Sequence, residues 1–250
     1  MALSHSPKIV TDGLVLCLDA ADPKSYSGSG TTWYDRTSNG NNATKQVGTF
    51  NSKGYFDSVE TVDYADRLEF TVGHSTSLND AFSVTSGGWS IEEIVRIDDN
   101  TYPEAGAGTV VSSSAYSSNA IGFDWNHGTY NTQFEMGVGN NVGGEVGYDV
   151  NFVYTLPSKF QTLGQWLHRS LYWDRDSNVM GFYFNGEHIA STSISTVSGL
   201  TLYDGGGISI GTLYGWRHHG ARAAFKAYNR VLTSKEVLQN YNATKSRFNL

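Results

Sequence analysis

Residues 165–187, QWLHRSLYWDRDSNVMGFYFNGE, decide the fold class of this chain. From Trp166 to Trp173 the side chains divide into two alternating sets, one of which holds Leu167, Leu171 and Trp173 and is typical of a β-strand with one core face. The apolar run at 179–184 is typical of a strand buried on both sides. Asn-Gly at 185–186 tolerates positive φ at both positions and predicts a tight hairpin. The stretch therefore predicts consecutive antiparallel strands.

Similar segments, bounded by Gly, Asn, Asp and Ser, recur along the whole chain. A single convincing helix is predicted at 234–245, where Thr233 to Glu236 has the form of a capping box and Val237, Leu238 and Tyr241 form an apolar stripe. The chain is therefore predicted to be all-β, a two-sheet antiparallel sandwich with a short C-terminal helix. The predicted strands are 14–20, 55–59, 67–72, 88–98, 108–113, 120–125, 133–139, 147–155, 165–174, 180–184, 187–193, 207–211 and 220–229.

Composition and charge exclude several classes of function. The net charge is −7, from 17 basic and 24 acidic residues, which argues against nucleic acid as a partner. No apolar run reaches the roughly 18 residues that span a membrane. The first residues lack the features of a signal peptide, so synthesis in a cytoplasm is expected. Cys17 is the single cysteine and lies in an apolar run, which predicts a buried, inert thiol.

Four segments carry a family resemblance. GLVLCLDA at 13–20, WYDRTSNGNN at 33–42, the hairpin at 165–187 and AYNRVLTSKEV at 227–237 are similar, in order, to segments of laminin-G-like, concanavalin A-type lectin and glucanase jelly rolls. The resemblance implies two curved antiparallel sheets in a jelly-roll arrangement, lectin or adhesion roles, and in some members a calcium ion at one rim. It also implies that the opening strand pairs with or neighbours the closing one, and that the helix packs Val237 and Tyr241 onto the edge of the sandwich.

The ending LQNYNATKSRFNL at 238–250 resembles the close of many tailed-bacteriophage structural proteins with this domain. The resemblance implies a non-enzymatic virion surface protein, a capsid decoration or tail-fibre component, made in the host cytoplasm. Its expected partners are other virion proteins of the capsid or tail, further copies of itself in a homo-oligomer such as a trimer, and a host surface glycan. Residues 1–10 are expected to be an attachment arm and 11–250 the jelly-roll domain. The alternatives are a polysaccharide-degrading glycoside hydrolase of the same fold and a free-standing lectin.

The acids of strand 88–98 are the candidates for catalytic residues. Hydrolases of this fold use two carboxylates on one strand face, and Glu92, Glu93 and Asp98 are the nearest candidates. The acids do not alternate along the strand as the hydrolase pattern requires, because Val95 and Ile97 occupy positions where that pattern has acids. The sequence therefore predicts no enzymatic activity, with Glu92 or Glu93 on a solvated face and paired with Arg96.

No metal site or cofactor is predicted. Calcium is disfavoured, because Ala223 and Ala224 occupy positions where calcium-binding relatives carry acids. The turns at 98–100 and 174–178 are interpreted as hairpin turns in which Asp and Asn bind backbone groups.

Two loop segments combine aromatic rings with hydrogen-bonding groups, which is the composition of sugar-binding sites and of protein interfaces. One lies around 123–130 and the other around 214–219. Simple packing of the rings at the rim of the sandwich is the alternative for both. The candidate contacts for a glycan or a partner are Trp125, Asn126, His127, Tyr130, Tyr214, Trp216, Arg217 and His218.

Overall fold

The computed structural model describes residues 7–59, 68–82, 86–98, 109–112, 120–125, 133–139, 150–194, 207–213, 216–217, 219–248 and 250. These residues form two antiparallel sheets, a small two-stranded pair and a C-terminal helix. The elements are β1 Leu14–Asp19, β2 Thr32–Trp33, β3 Ala43–Val47, β4 Thr49–Asn51, β5 Tyr55–Asp57, β6 Glu69–Val72, α1 Thr76–Phe82, β7 Gly88–Ile97, β8 Thr109–Ser112, β9 Ala120–Trp125, β10 Gln133–Gly139, β11 Val150–Thr155, β12 Trp166–Asp174, β13 Val179–Phe184, β14 Glu187–Ser193, β15 Gly207–Ile210, β16 Thr212–Leu213, β17 Trp216–Arg217, β18 Gly220–Tyr228 and α2 Ser234–Phe248.

The two large sheets confirm the predicted sandwich. The first, here called the helix-side sheet, has the order β14-β13-β12-β7-β18-β5-β4, with β1 also paired to β18. The second, here called the opposite sheet, has the order β11-β10-β9-β8-β15-β6-β3-β2. The short pair β16–β17 connects the end of β15 in the opposite sheet to the start of β18 in the helix-side sheet.

The opening strand β1 and the closing strand β18 pair in the helix-side sheet, as predicted. β1 pairs antiparallel with β18, and Leu18 lies opposite Phe225. β18 also pairs with β7 along nearly its whole length and with β5 near its start. All nine residues of β18 are buried. The closing strand is therefore a central strand.

An aromatic core fills the space between the sheets. Trp89 and Trp173 meet edge to face with ring centroids 6.4 Å apart, and Phe134 from the opposite sheet lies 4.7 Å from Phe182. Leu167, Leu171 and Trp173 belong to this core, which confirms the face assigned to them from their alternation. Edge-to-face contacts are the arrangement that the ring quadrupoles favour.

The predicted hairpin forms at Asn185-Gly186. Asn185 has a φ of 50° and Gly186 a φ of 78°, and Phe184 pairs with Glu187 across the turn. These are the positive angles that a two-residue hairpin turn requires. A Cβ on Gly186 would also meet the Leu238 side chain of α2 at 2.9 Å, so glycine is needed for space as well as for its backbone angle.

The helix confirms the predicted start and extends past the predicted end. Thr233 accepts a hydrogen bond from the Glu236 backbone N–H at 3.3 Å, and Glu236 accepts one from the Thr233 N–H at 2.8 Å. α2 continues to Phe248, three residues beyond 245, because Phe248 stacks 4.9 Å from Trp166. The predicted apolar stripe is confirmed only in part, since Leu238 is 46% exposed.

The sequence missed several short elements. α1 has seven residues and buries Leu78, Ala81 and Phe82, but it is too short for its periodicity to stand out. The strands β2, β3, β4, β16 and β17 have two to five residues each. Segments of this length are defined by their partners rather than by their own pattern.

α2 lies across the outer face of the helix-side sheet, not on its edge as predicted. Val237 is buried there beside Val10, Tyr183 and Tyr228, and the Tyr241 ring lies 6.0 Å from that of His168. The helix covers the face because this part of the sheet carries large side chains that would otherwise be exposed to water.

Asn240 ties the helix to the sheet and to the start of the domain. Its side-chain carbonyl accepts a hydrogen bond from the Val10 N–H at 2.7 Å. Its amide donates to Glu92 at 2.8 Å and to the Tyr228 hydroxyl at 3.0 Å. Tyr228 in turn donates to the Val10 carbonyl at 3.1 Å. One buried amide therefore links α2, β7, β18 and residue 10.

We predict that Asn240→Ala lowers the free energy of unfolding by about 3 kcal/mol, because it removes three buried hydrogen bonds, one of them to a charged group. Asn242→Ala, on a partly exposed position of the same helix, is the matched control and should change it by less than about 1 kcal/mol. Urea unfolding of both variants measures the difference. Equal losses would show that the Asn240 network does not stabilise the fold.

Candidate functional site

Glu92 and Glu93 are neighbours on β7 and point to opposite faces of the helix-side sheet. Both are buried, with 0% and 1% of their surface exposed. Glu93 lies between the sheets, where it accepts a hydrogen bond from Arg169 at 2.5 Å and forms an ion pair with Arg222. Glu92 lies under α2, with Lys226 Nζ at 3.5 Å.

The prediction of a solvated glutamate paired with Arg96 is wrong. β7 is flanked by β12 and β18, the opposite sheet covers one of its faces and α2 covers the other. Arg96 pairs instead with Asp98 and Asp57. Because Glu92 and Glu93 are enclosed and bonded to cations, their role is structural.

Glu92 and Arg222 keep their charges at neutral pH. Burial by itself would raise the pKa of Glu92, but Lys226, His168 and Asn240 together hold it below its usual value. Burial lowers the pKa of Arg222 to about 10, against the opposing effect of Glu93. These two charges are retained because each has an oppositely charged group buried beside it.

The loop WYDRTSNGNN is also structural. Asp35 is buried and accepts hydrogen bonds from the backbone N–H groups of Cys17, Thr37 and Asn41 at 2.9 to 3.0 Å, and from the Thr37 hydroxyl at 2.6 Å. The carboxylate therefore fixes this loop to β1. Cys17 beside it is buried, which confirms the predicted burial of its thiol, and burial raises the pKa of the thiol to about 11.

The strands that hold the predicted glycan contacts end on one side of the sandwich. Thr109 on β8 pairs with both Phe123 on β9 and Ile210 on β15, so those two residues are about 10 Å apart, two strand spacings. Trp125 follows Phe123 as the last residue of β9, and the β16–β17 pair follows Ile210. The register thus places the end of β9 and the β16–β17 pair at the same end of the sandwich, although they are about 90 residues apart in sequence.

Three of the predicted glycan contacts lie on described strands. Trp125, Trp216 and Arg217 belong to β9 and β17, where the structure describes the backbone. The other candidates, Asn126, His127, Tyr130, Tyr214 and His218, lie outside the described residues.

A cluster of partly exposed polar and aromatic side chains lies at this same end of the helix-side sheet. It consists of Tyr55, Asp57, Arg96, Asp98 and Trp166, here called the rim cluster. The Arg96 guanidinium lies 5.5 Å from the Tyr55 ring and 5.3 Å from the Trp166 ring, and the two rings are 5.1 Å apart. Arg96 donates twice to Asp98 at 2.6 Å and once to Asp57 at 3.2 Å.

Strand register assembles the rim cluster. Trp166 lies opposite Arg96, which lies opposite Ala221, which lies opposite Asp57. Ala221 is small, so the long Arg96 side chain can cross β18 to reach Asp57. Hydrogen bonding to Asp98 raises the pKa of Arg96 above its ordinary value, so the guanidinium stays charged.

The rim cluster adjoins the predicted segment 214–219. The Asp98 N–H donates to the His219 carbonyl at 3.0 Å, and Arg217 ends β17 two residues earlier. The rim cluster could not be predicted from the sequence, because its residues come from β5, β12, and the end of β7 with the residue that follows it. The available signals were Trp166 on the polar face of its strand, and the spacing of Arg96 and Asp98, which puts both on one face.

Among the residues that the structure describes, no three His, Cys, Asp or Glu side chains come close enough together to hold a metal ion. The turn at 174–178 has the predicted local role, because Asp174 accepts hydrogen bonds from the backbone N–H groups of Asp176 and Ser177. Neither helix in the described ranges has the length and apolar character needed to span a membrane.

Residues 70–238 match the model of the concanavalin A-like lectin/glucanases superfamily. This match covers more than half of the chain, which therefore belongs to that superfamily. No match was found among curated protein sequences.

Solved structures share the fold at low sequence identity. Trypanosoma rangeli sialidase in complex with 2,3-difluorosialic acid matches with a TM-score of 0.63 and 15% identity, over 98% of this chain and 36% of the sialidase. The binding domain of botulinum neurotoxin DC in complex with SialylT matches with a TM-score of 0.56 and 16% identity, over 93% of this chain and 52% of that one. The chain thus spans about a third of the sialidase and half of the toxin domain.

These structures contradict the prediction that the protein has no enzymatic activity. That prediction took the missing carboxylate alternation as excluding an enzyme, but the structures that share this fold include a sialidase, a glycoside hydrolase. At 15–16% identity the likeness extends to the fold alone, which lectins share. The fold therefore does not exclude catalysis.

We predict that Glu93→Gln lowers the free energy of unfolding by about 3–5 kcal/mol, because two buried guanidinium groups lose the charge that they share. Glu187→Gln is the control, since its ion pair with Lys159 is more than half exposed and should contribute at most about 1 kcal/mol. Thermal and urea unfolding report both changes. A loss at Glu93 no larger than at Glu187 would contradict the structural role of the buried ion pairs.

Proposed function

We propose that this chain is a lectin-like recognition domain of a tailed-bacteriophage virion surface protein, which docks on the capsid or tail and binds host surface glycans. The observation that carries the proposal is the convergence at one end of the sandwich. The strands with Trp125 and Trp216 end there, beside the rim cluster. Membership of a superfamily of lectins and glucanases supports the same reading.

The chemistry of this end suits a sugar. An aromatic ring can cover the apolar C–H face of a pyranose, while a few polar groups fix its orientation through the hydroxyls. Such a shallow site binds weakly on its own. Several copies on one particle can raise the avidity by about 10² to 10⁴ without any new contact, so a homo-oligomer, with a trimer as the favoured form, is part of the proposal.

The proposed virion role rests on the resemblance of residues 238–250 to tailed-phage proteins. Most of that segment belongs to α2, and Lys8 and Val10 of the predicted attachment arm contact this helix. The Lys8 carbonyl accepts a hydrogen bond from Gln239 at 2.7 Å, and Val10 is bonded to Asn240. The proposal therefore assigns attachment to the residues before Lys8.

Trp125→Ala and Trp216→Ala should each abolish binding to host cells and leave the melting temperature nearly unchanged, because a ring that contacts a glycan contributes little to the core. Trp173→Ala is the matched control: Trp173 is a core residue with 1% exposure, and its loss should cost about 3–5 kcal/mol. Cell-binding assays and melting curves are measured together. If Trp125→Ala and Trp216→Ala both melt at as low a temperature as Trp173→Ala, the two rings belong to the core and the proposed site is wrong.

Deletion of residues 2–8 should release the protein from virions without unfolding it, because the bonds of Val10 to Asn240 and Tyr228 are kept. Quantitative mass spectrometry of purified particles gives the occupancy, and circular dichroism checks the fold. Full occupancy of the truncated protein would rule out the arm as the attachment segment.

A further inference from the structure

We propose that the rim cluster selects neutral, hydroxyl-rich glycans over sialylated or other anionic ones. This inference rests on the proposed function and names the ligand class of that site. It follows from how the one arginine of the cluster is used.

Arg96 is already neutralised by its neighbours. Its Nε and Nη2 atoms form a two-pronged pair with Asp98, both bonds at 2.6 Å, and Nη2 also bonds to Asp57. Arginine recognises the carboxylate of a ligand through the same two-pronged geometry. Here the Nε and Nη2 edge of the guanidinium is occupied within the protein, so an anionic sugar that used this edge would have to displace Asp98.

The charge of the cluster also opposes an anion. Two carboxylates surround one guanidinium, which leaves a net charge of −1. In the described part of the chain the ion pairs of Asp57 and Asp98 are both with Arg96, and the whole chain carries a net charge of −7. A ligand carboxylate near this cluster therefore meets repulsion rather than a binding partner.

The most exposed charged groups of the cluster are acceptors. The side chains of Asp57 and Asp98 are 33% and 40% exposed, whereas that of Arg96 is 21% exposed. An ionised carboxylate can only accept hydrogen bonds. Sugar hydroxyls can donate to it, and an ionised sialic acid carboxylate cannot.

The aromatic residues supply the apolar part of the site. Tyr55 and Trp166 are partly exposed, and Arg96 packs against both rings. Phe248 at the end of α2 supports Trp166 from within. The rings are thus fixed in place before a ligand arrives, which lowers the entropic cost of binding.

The inference is tested on a glycan microarray of matched pairs. In each pair a neutral oligosaccharide is compared with the same oligosaccharide carrying a terminal sialic acid. The wild-type protein should bind neutral members at least ten times more strongly than their sialylated partners. Asp98→Asn should lower binding to the neutral members at least tenfold and narrow the gap between the members of each pair, because it removes an acceptor and frees the Arg96 fork.

Asp12→Asn is the matched control. Asp12 is an exposed carboxylate that pairs with Arg230 at 2.9 Å, beyond the far end of β18, and this variant should bind like the wild type. If Asp98→Asn lowers the melting temperature, Asp57→Asn serves as a second test. It should also weaken binding to the neutral oligosaccharides.

The outcomes separate the two proposals. Preference for the sialylated members would overturn the inference and leave the lectin-like function intact. Unchanged neutral binding by folded Asp98→Asn and Asp57→Asn would also overturn it, since the glycan would then bind elsewhere. Binding to no glycan of either kind would overturn the proposed function, and the inference with it.

Discussion

The pairing of buried charges on β7 is the constraint on which the rest of the structure depends. Glu93 needs Arg169 and Arg222 from the two flanking strands, and Glu92 needs groups from β18 and from α2. A buried carboxylate without such partners would be very costly. The fold therefore holds together only when β12, β7, β18 and the helix adopt one register relative to each other.

Position along β7 decides what its charged residues do. In the middle of the strand Glu92 and Glu93 are covered on their respective faces and serve the fold. Near its end Arg96 and Asp98 reach the rim, where the helix no longer excludes water and their side chains stay partly exposed. Charged side chains of one strand thus stabilise the core at one place and stay partly exposed a few residues further on.

The fold by itself leaves the activity open. Structures as different in use as a sialidase and a toxin binding domain share it with this chain. The local chemistry of this chain includes its rim, where an arginine packs against two rings and is bonded to two carboxylates. Function on a common fold is decided by such local chemistry.

The sequence by itself determined the β-sandwich, the hairpin at Asn185-Gly186, the capped start of α2 and the core face of Leu167, Leu171 and Trp173, because turn chemistry and alternation are local properties. Through the family resemblance, it also predicted that the opening and closing strands lie next to each other. Only the tertiary structure decided that Glu92 and Glu93 are buried and that Tyr55, Arg96 and Trp166 meet. Those facts depend on strand register and on the cover that α2 provides, and both are set by residues far apart in the chain.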